Sequence, residues 1–470
     1  MALLERNITD LKNRRMNRST EPKEKMAYYL AKLTSQIGLK TPSEEACSLI
    51  RQHILDSIAS AFIGCRNETF VHLCNLAPNL EKGCIWPGSG PKRIGRLDAA
   101  MVWASAVNAS VFEDGSREGA CHPGAVVVPT IIALSKGVSW EQIDMATMAG
   151  YDIMVRMARG GNPEFTSRGF HPTSITAPFG AAAAASVLLG HDILKTQHAL
   201  SLAAMGSAGL MSSFRAGDSQ PLQVAWAVRC GLASALMAGE GQAGYPHIIE
   251  EGFYPAYLGH TPDPPLDHPL DRDFAILGSY LKPYPGCRHL HPSIDAFSKI
   301  VDKDRINPET IEEVHVGTYR AAVLTEIQTL NSRGDAYFNI PYALSATALL
   351  GRNDYDAFSR RHFKNRALIA LMKKIKVDVD PEVDKRYPKQ RGANVKVLTR
   401  DGKTYKSIIA YPLGEPENPL PFSLTLEKFR AAAGDYLSHK NMERIEGLLN
   451  ISEPLDPPER LFDAVSGGGI

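Results

Sequence analysis

Apolar positions along this chain recur with two periods. From Thr41, the run TPSEEACSLIRQHILDSIASAFIG sets Ile50, Ile54, Leu55, Ile58, Ala61 and Phe62 on one helical face. Ser43 is a fair N-cap for it and Gly64 a fair C-cap. LDAAMVWASAVNASVF predicts a buried helix and SWEQIDMATMAGYDIMVRMARG an amphipathic one. Segments 173–190, 196–211 and 222–239 are helical in pattern and rich in Ala, Gly, Ser and Met. Small residues let helices approach closely, so this half should be a tightly packed α bundle. GSGPKRIGR (88–96) reads as a loop. SSFRAGDSQPLQ (212–223) breaks the helical period with Gly and Pro, a reasonable place for a binding loop carrying Arg215.

A Pro-rich stretch at 252–270 marks a boundary, and beyond it the period shortens to two. IEEVHVGTY, ANVKVLT and YKSIIAY alternate as strands do, with Arg400-Asp401-Gly402-Lys403 as a hairpin turn between the last two. YALSATALLG (342–351) is a short helix within this stretch, and PFSLTLEKFRAAAGDYL and NMERIEGLLN return to pure helix. The pattern predicts a mobile arm over 1–24, an all-α domain over 25–280, an α+β segment over 281–410, and C-terminal helices over 411–470 that dock back on the first domain. The fold class is mainly α.

Composition adds exclusions. With 44% hydrophobic and 22% charged residues in 470, the chain reads as an ordinary globular protein of more than one domain. A net charge of +1 gives no reason to expect nucleic acid or an anionic membrane as partner. The Ala-rich runs are interrupted by Gly, Ser and Pro, so no transmembrane run is expected. The basic N-terminus carries Glu5, Asp10, Glu21 and Glu24 and has no long apolar run, unlike a secretory leader; a transit peptide would be poorer in acids. The 7 cysteines are scattered, odd in number and free of C-x-x-C. They read as reduced thiols, which points to the cytoplasm, with the mitochondrial matrix also compatible. Cys121 and Cys287 lie near candidate histidines, where packing is the more natural role than nucleophile.

The chemistry centres on Glu113 to Pro129, EDGSREGACHPGAVVVP. It sets two acids, an arginine and His122-Pro123 in a Gly-rich turn before an apolar run. His171-Pro172 and His291-Pro292 repeat the device, while His268-Pro269 looks like plain linker. Proline suits the first helical position, so each histidine is expected near a helix N-terminus, where the dipole favours anions and disfavours imidazolium. Neutral histidines there would suit proton transfer on a carboxylate. His-Pro is a common loop dipeptide; three copies beside small-residue helices are what give it weight.

The blocks EDGSREGACHPG, RGFHPTSITAPFGAAAAAS, LKPYPGCRHLHPSIDA and FNIPYALSATALL, in this order, resemble the 2-methylcitrate dehydratase family (MmgE/PrpD), which also contains the cis-aconitate decarboxylases. The likeness spans most of the chain. It implies a large all-α helical domain built from both chain ends with an inserted α+β lid, no metal or other cofactor, homodimers, and small polycarboxylate substrates. By position, His122, His171, His291 and Tyr342 match catalytic or pocket residues of the family, and Asp114 of the acid pair joins the catalytic set. Arg288, His289 and His291 lead into the lid; Arg288 could clamp a carboxylate, and His289 and His291 point the same way on an extended stretch. Arg215 and Gln220 complete the expected substrate contacts. Three positions depart from the family's pattern. Val111 stands where an acid is common, and Gln220 and Gln223 stand for a lysine and a histidine.

The expected function is a metal-independent lyase, dehydratase or decarboxylase, working by His/Tyr acid–base chemistry at the carbon next to a carboxylate. The pocket would lie between the helical domain and the lid. An epimerase shares this machinery, and Val111 and Gln220 also fit a catalytically silent carboxylate binder. Metal-dependent hydrolysis through His289 and His291 is a weak reading, because their spacing is not that of a ligand set. With Gln220 in place of a cation, fewer substrate carboxylates are expected than in tricarboxylate relatives.

Overall fold

The computed structural model describes residues 25–84, 86–87, 92–262, 273–449 and 456–466. The arm over 1–24 and the His268-Pro269 pair lie outside the described residues. Only the longer elements are labelled below, with the two short strands that join the halves.

The helical half comprises α1 (Met26–Ile37), α2 (Glu44–Gly64), α3 (Arg96–Ala109), α4 (Gly124–Leu134), α5 (Trp140–Arg159), α6 (Pro172–Leu188), α7 (Ile193–Ala203) and α8 (Pro221–Gly239). The Ser43 hydroxyl accepts from Ala46 N–H and starts α2, as its cap position predicts. Gly64 has another role than capping. The cap is Cys65, and a Cβ on Gly64 would lie 1.7 Å from the Ala106 carbonyl oxygen of α3. Glycine there lets α2 and α3 touch backbone to backbone. Gly231 does the same for α8 against Pro178 of α6, where a Cβ would meet the carbonyl oxygen at 2.4 Å. Helix α5 is buried on nearly every face rather than amphipathic, because α1, α4 and α6 all pack on it. α7 stops at Ala203, followed by a short 3-10 turn, instead of running to 211. The backbone of 209–211 pairs with Gly169 to His171 instead: His171 N–H donates to Gly209 O and Met211 N–H to Gly169 O. The expected loop after it is a 3-10 helix, Met211–Ser219.

Helix α8 corrects the expectation that no run reaches membrane-spanning length. It is 19 residues long and apolar enough by composition, with half of it buried against α3, α6 and α7.

Two short strands join the halves. β1 (Gly115–Ser116) pairs antiparallel with β2 (Ser279–Tyr280), Gly115 opposite Tyr280. The second half holds α9 (His291–Asp304), β3 (Ile311–Thr318), α10 (Ile340–Leu350), β4 (Ile375–Val379), β5 (Ala393–Thr399) and β6 (Thr404–Ile409). The sheet order is β4-β3-β5-β6, with β3–β4 parallel and the other pairs antiparallel. Gly402 sits at φ +78 in the hairpin between β5 and β6, the backbone region such a turn needs. β4 had no counterpart among the expected strands. It is an edge strand with Ile375 alone buried, so its alternation is faint.

Two hydrophobic cores result. One draws on 27–276 and again on 429–465, through α11 (Phe422–Ala433), α12 (His439–Leu448) and α13 (Pro458–Val465). The other draws on 290–397, with Phe297, Val316, Leu344 and Val395 at its centre. α11 packs on α2, and its Lys428 Nζ donates to Asp56 Oδ1 and the Phe112 carbonyl, both at 2.6 Å. The chain's C-terminal part is thereby tied to the loop that enters β1.

Candidate active site

The loop between α3 and α4 is held from beneath by one carboxylate. Asp114 is fully buried; Oδ2 accepts from His53 Nδ1 and Tyr151 Oη at 2.6 Å each, and Oδ1 accepts Gly124 N–H at 2.8 Å. Burial alone would raise this carboxyl, but the hydrogen bonds from His53, Tyr151 and Gly124 hold it below its ordinary value. Its own carbonyl accepts His122 Nδ1 at 2.6 Å. A carbonyl can only accept, so His122 carries its proton on Nδ1 and leaves Nε2 as a lone pair. Burial first, and the Lys282 charge second, lower the His122 pKa to about 3.

His171 caps α6, with Pro172 at the first helical position. Its Nδ1 faces Ser174 Oγ at 2.8 Å and Gln223 Nε2 at 3.2 Å. Gln223 Oε1 accepts Leu210 N–H, which fixes its amide so that the NH2 group points at the ring. His171 Nδ1 therefore accepts, and the proton sits on Nε2. Burial lowers its pKa to about 3, with a smaller contribution from His122. The two rings hold opposite tautomers: one offers a lone pair at Nε2, the other an N–H.

His291 and His289 lie across the junction. Arg288 Nη1 donates to His291 Nδ1 at 2.9 Å, leaving a buried Nε2–H with no partner among the described residues. Burial, then Arg288 and Lys282, keep His291 neutral. His289 Nδ1 contacts Tyr319 Oη at 2.6 Å, and burial lowers it to about 3.

Sequence reasoning missed several parts. Lys282 is 1% exposed; its Nζ donates to the Val111 carbonyl at 3.1 Å and stands 3.9 Å from Glu113 Oε2. Val111 is turned to φ 50, a strained conformation for a β-branched residue, and its carbonyl also accepts Gly286 N–H at 2.9 Å. From Glu113 a chain of amides runs to the expected lysine position. Asn108 Nδ2 donates to Glu113 Oε1 at 2.9 Å, and Gln220 Nε2 donates to Asn108 Oδ1 at 2.8 Å. Tyr280 was also missed: a Cβ on Gly115 would lie 2.4 Å from its Oη and 3.0 Å from His122 Nδ1, so this phenol borders His122. A lone lysine or tyrosine in LGSYLKPYP carries no spacing signal; only the β1–β2 pairing brings them to the histidine.

Three expected side chains are engaged elsewhere, and a fourth lies outside the described residues. Tyr342 is fully buried in the second core, donates to the Ala357 carbonyl and packs against Phe358 and Phe363. The charges that act on it are Arg333 and Asp356, not those around the histidines. Arg288 is spent internally, on Glu415 Oε1 (3.0 Å), His291 and the Leu413 and Pro412 carbonyls, which leaves no fork for a carboxylate. Asp114 has both oxygens occupied by the protein donors His53, Tyr151 and Gly124 N–H. Arg215 lies in the 3-10 helix, but its side chain is outside the described residues.

A cavity of about 330 Å³ opens between the two halves, lined by Val111, Gln220, Phe214, Arg333, Tyr337 and Phe338 among others. Phe214 stands edge-on to His171, with ring centroids 5.1 Å apart, and to Phe338 at 5.9 Å. It both lines the cavity and packs against the histidine. Among the described residues, no group of three or more His, Cys, Asp or Glu side chains is placed to hold a metal ion.

Mouse cis-aconitate decarboxylase is 25% identical over 437 residues, covering 87% of this chain and 86% of the mouse protein. The Aspergillus terreus cis-aconitate decarboxylase is 24% identical over 430 residues (84% and 86%), and the human protein of that name 24% over 441 residues (87% of each). The model of the MmgE/PrpD N-terminal domain matches residues 28–265, and that of the MmgE/PrpD C-terminal domain matches 284–451. The chain belongs to the MmgE/PrpD family.

Proposed function

We propose that this chain is a metal- and cofactor-independent lyase, a decarboxylase or dehydratase, acting on a small carboxylic acid at the carbon beside a carboxylate. The observation that carries this reading is the opposite tautomers of His122 and His171, set by their hydrogen-bond partners. Burial keeps both rings neutral at pH 7. In a dehydration, His122 Nε2 takes the proton from carbon while His171 Nε2–H protonates the departing hydroxyl. In a decarboxylation, carbon dioxide leaves and the resulting carbanion takes its proton from His171 Nε2. Lys282 stabilises the charge that develops on the retained carboxylate, in a site dry enough to make that interaction strong. A bound carboxylate raises the His122 pKa toward neutrality, because an anion beside an imidazole opposes burial. Tyr280 is the phenol beside His122 and takes the place proposed from sequence for Tyr342.

A second reading is a silent carboxylate binder. Its motivation is Gln220, a neutral amide tied to Asn108 where the family pattern has a cation. Incubation with cis-aconitate and with hydroxylated and unsaturated dicarboxylates in deuterated water, followed by NMR, separates the two. Product formation or carbon-bound deuterium supports the lyase; binding without either supports the silent form.

We also propose a homodimer in a reducing compartment such as the cytoplasm. The outward face of α8 exposes Trp226 and Met237, and Met205 and Leu210 are exposed nearby along the chain, the kind of apolar patch that a second copy would cover. All seven cysteines are free thiols.

A further inference from the structure

Among the described residues, the buried charges of the junction pair off, with two exceptions. Lys428 is matched by Asp56 at 2.6 Å, and Arg288 by Glu415 at 3.0 Å. Glu415 also takes Arg117, whose other partner is Glu417. Lys282 has Glu113 only at 3.9 Å. Arg391 is 5% exposed and, among the described residues, makes no ion pair. Its Nη2 donates to the Arg117 carbonyl at 3.2 Å, and its Nε is buried with no partner among the described residues. An unpaired buried guanidinium costs folding energy, so a protein that keeps one has a use for an anion there.

The position of Arg391 says which anion. It is held to Arg117, in the loop that carries His122. The neighbouring Gly392 carbonyl accepts Thr318 Oγ1 at 3.0 Å, beside Tyr319, whose hydroxyl holds His289. Arg391 thus spans the gap between the His122 loop and the His289 side. Its charge reaches both rings, while Lys282 acts on His122 as well.

We propose that Arg391 binds a second substrate carboxylate opposite the one held by Lys282, so that the site takes dicarboxylic acids with the reacting carbon between the two cations at His122. This rests on the carboxylate-lyase reading and deepens it by naming the substrate class. The planar fork of arginine suits a carboxylate, and the free Nε with a neighbouring Nη supplies two parallel donors. Gln220 supplies no third cation, which places tricarboxylic acids at a disadvantage.

The test is calorimetric binding of three unreactive acids that differ by one carboxylate each: isobutyrate, methylsuccinate and tricarballylate. Wild type should bind methylsuccinate about tenfold or more tightly than isobutyrate, the size of one charge-assisted contact. In Arg391→Met that gap should shrink below about threefold while isobutyrate affinity holds, and Arg391→Lys should restore part of it. Removing an unpaired buried charge should leave the melting temperature of Arg391→Met equal to or above wild type. An unchanged gap in Arg391→Met overturns the proposal. So does a lower melting temperature with equal loss for all acids, which marks a structural arginine. If wild type binds none of the three, this inference and the carboxylate reading fall together. If the gap behaves as expected but no reactive acid shows turnover or deuterium exchange, the lyase reading fails and the Arg391 subsite stands.

Discussion

Asp114 is the group on which sequence and structure differ most usefully, and Asp114→Asn decides between them. The carboxylate collects three donors: His53 and Tyr151 on one oxygen at 2.6 Å each, and Gly124 N–H on the other at 2.8 Å. Hydrogen bonds to a charged group contribute about 1.5–3 kcal/mol each. An asparagine keeps the Gly124 bond in weaker, neutral form and turns an NH2 toward two groups that are themselves donors. Both must reorient to accept, so the net loss should be about 3–5 kcal/mol. Tyr151→Phe removes one donor only and should cost about 1–2 kcal/mol. Urea unfolding followed by far-UV circular dichroism measures both. Because the bond that sets the His122 tautomer goes to the backbone carbonyl of residue 114, kcat of Asp114→Asn should fall by less than about tenfold, well under the 10²–10⁴ of a lost acid or base. A thousandfold loss of kcat at unchanged stability would refute this and restore Asp114 to the catalytic role.

Three other predictions follow from the same geometry. His171→Ala should retain the fold and lose about 10²–10⁴ in kcat; near-normal turnover would remove His171 from the proton-transfer machinery. The His171 pKa is lowered to about 3 in the folded chain, so between there and its unfolded value the unfolded state binds the proton and stability falls as pH drops. From pH 7 to pH 5 this one residue should cost about 2 kcal/mol, and His171→Gln should lose that much less over the same interval in urea titrations; equal losses would contradict its burial as a neutral ring. Gln220→Lys should shift preference from methylsuccinate toward tricarballylate by about tenfold, and tight wild-type binding of cis-aconitate with normal turnover would overturn the assignment of Gln220 as the missing cation.

The helices were legible because their apolar spacing survives packing, and the Pro172 start and the Ser43 cap are local chemistry. β4 was not, since an edge strand with one buried residue leaves almost no alternation. Gly64 looked like a cap because glycine ends helices, and its contact with Ala106 depends on a crossing that no local pattern encodes. The His-Pro pairs pointed to the positions on which the proposed site rests, His171 and His122 above all. The rest of the site is made of long-range pairings. Lys282 meets the Val111 carbonyl and Arg391 meets the Arg117 carbonyl across gaps of 171 and 274 residues. Lone basic residues carry no periodic signal, so these two cations could only be found in three dimensions. The tautomers likewise depend on which atom faces each ring nitrogen.

The central claim is that His122 Nε2 and His171 Nε2–H move a proton at a carbon beside a carboxylate. Solvent deuterium entering that carbon, followed by NMR for wild type, His122→Ala and His171→Ala on the same acids, tests it most directly. The account predicts incorporation by wild type and a drop of about a hundredfold or more in each variant, with all three proteins folded and still binding the acid. Incorporation at the wild-type rate in either variant, or none in wild type for any acid that binds, would contradict it.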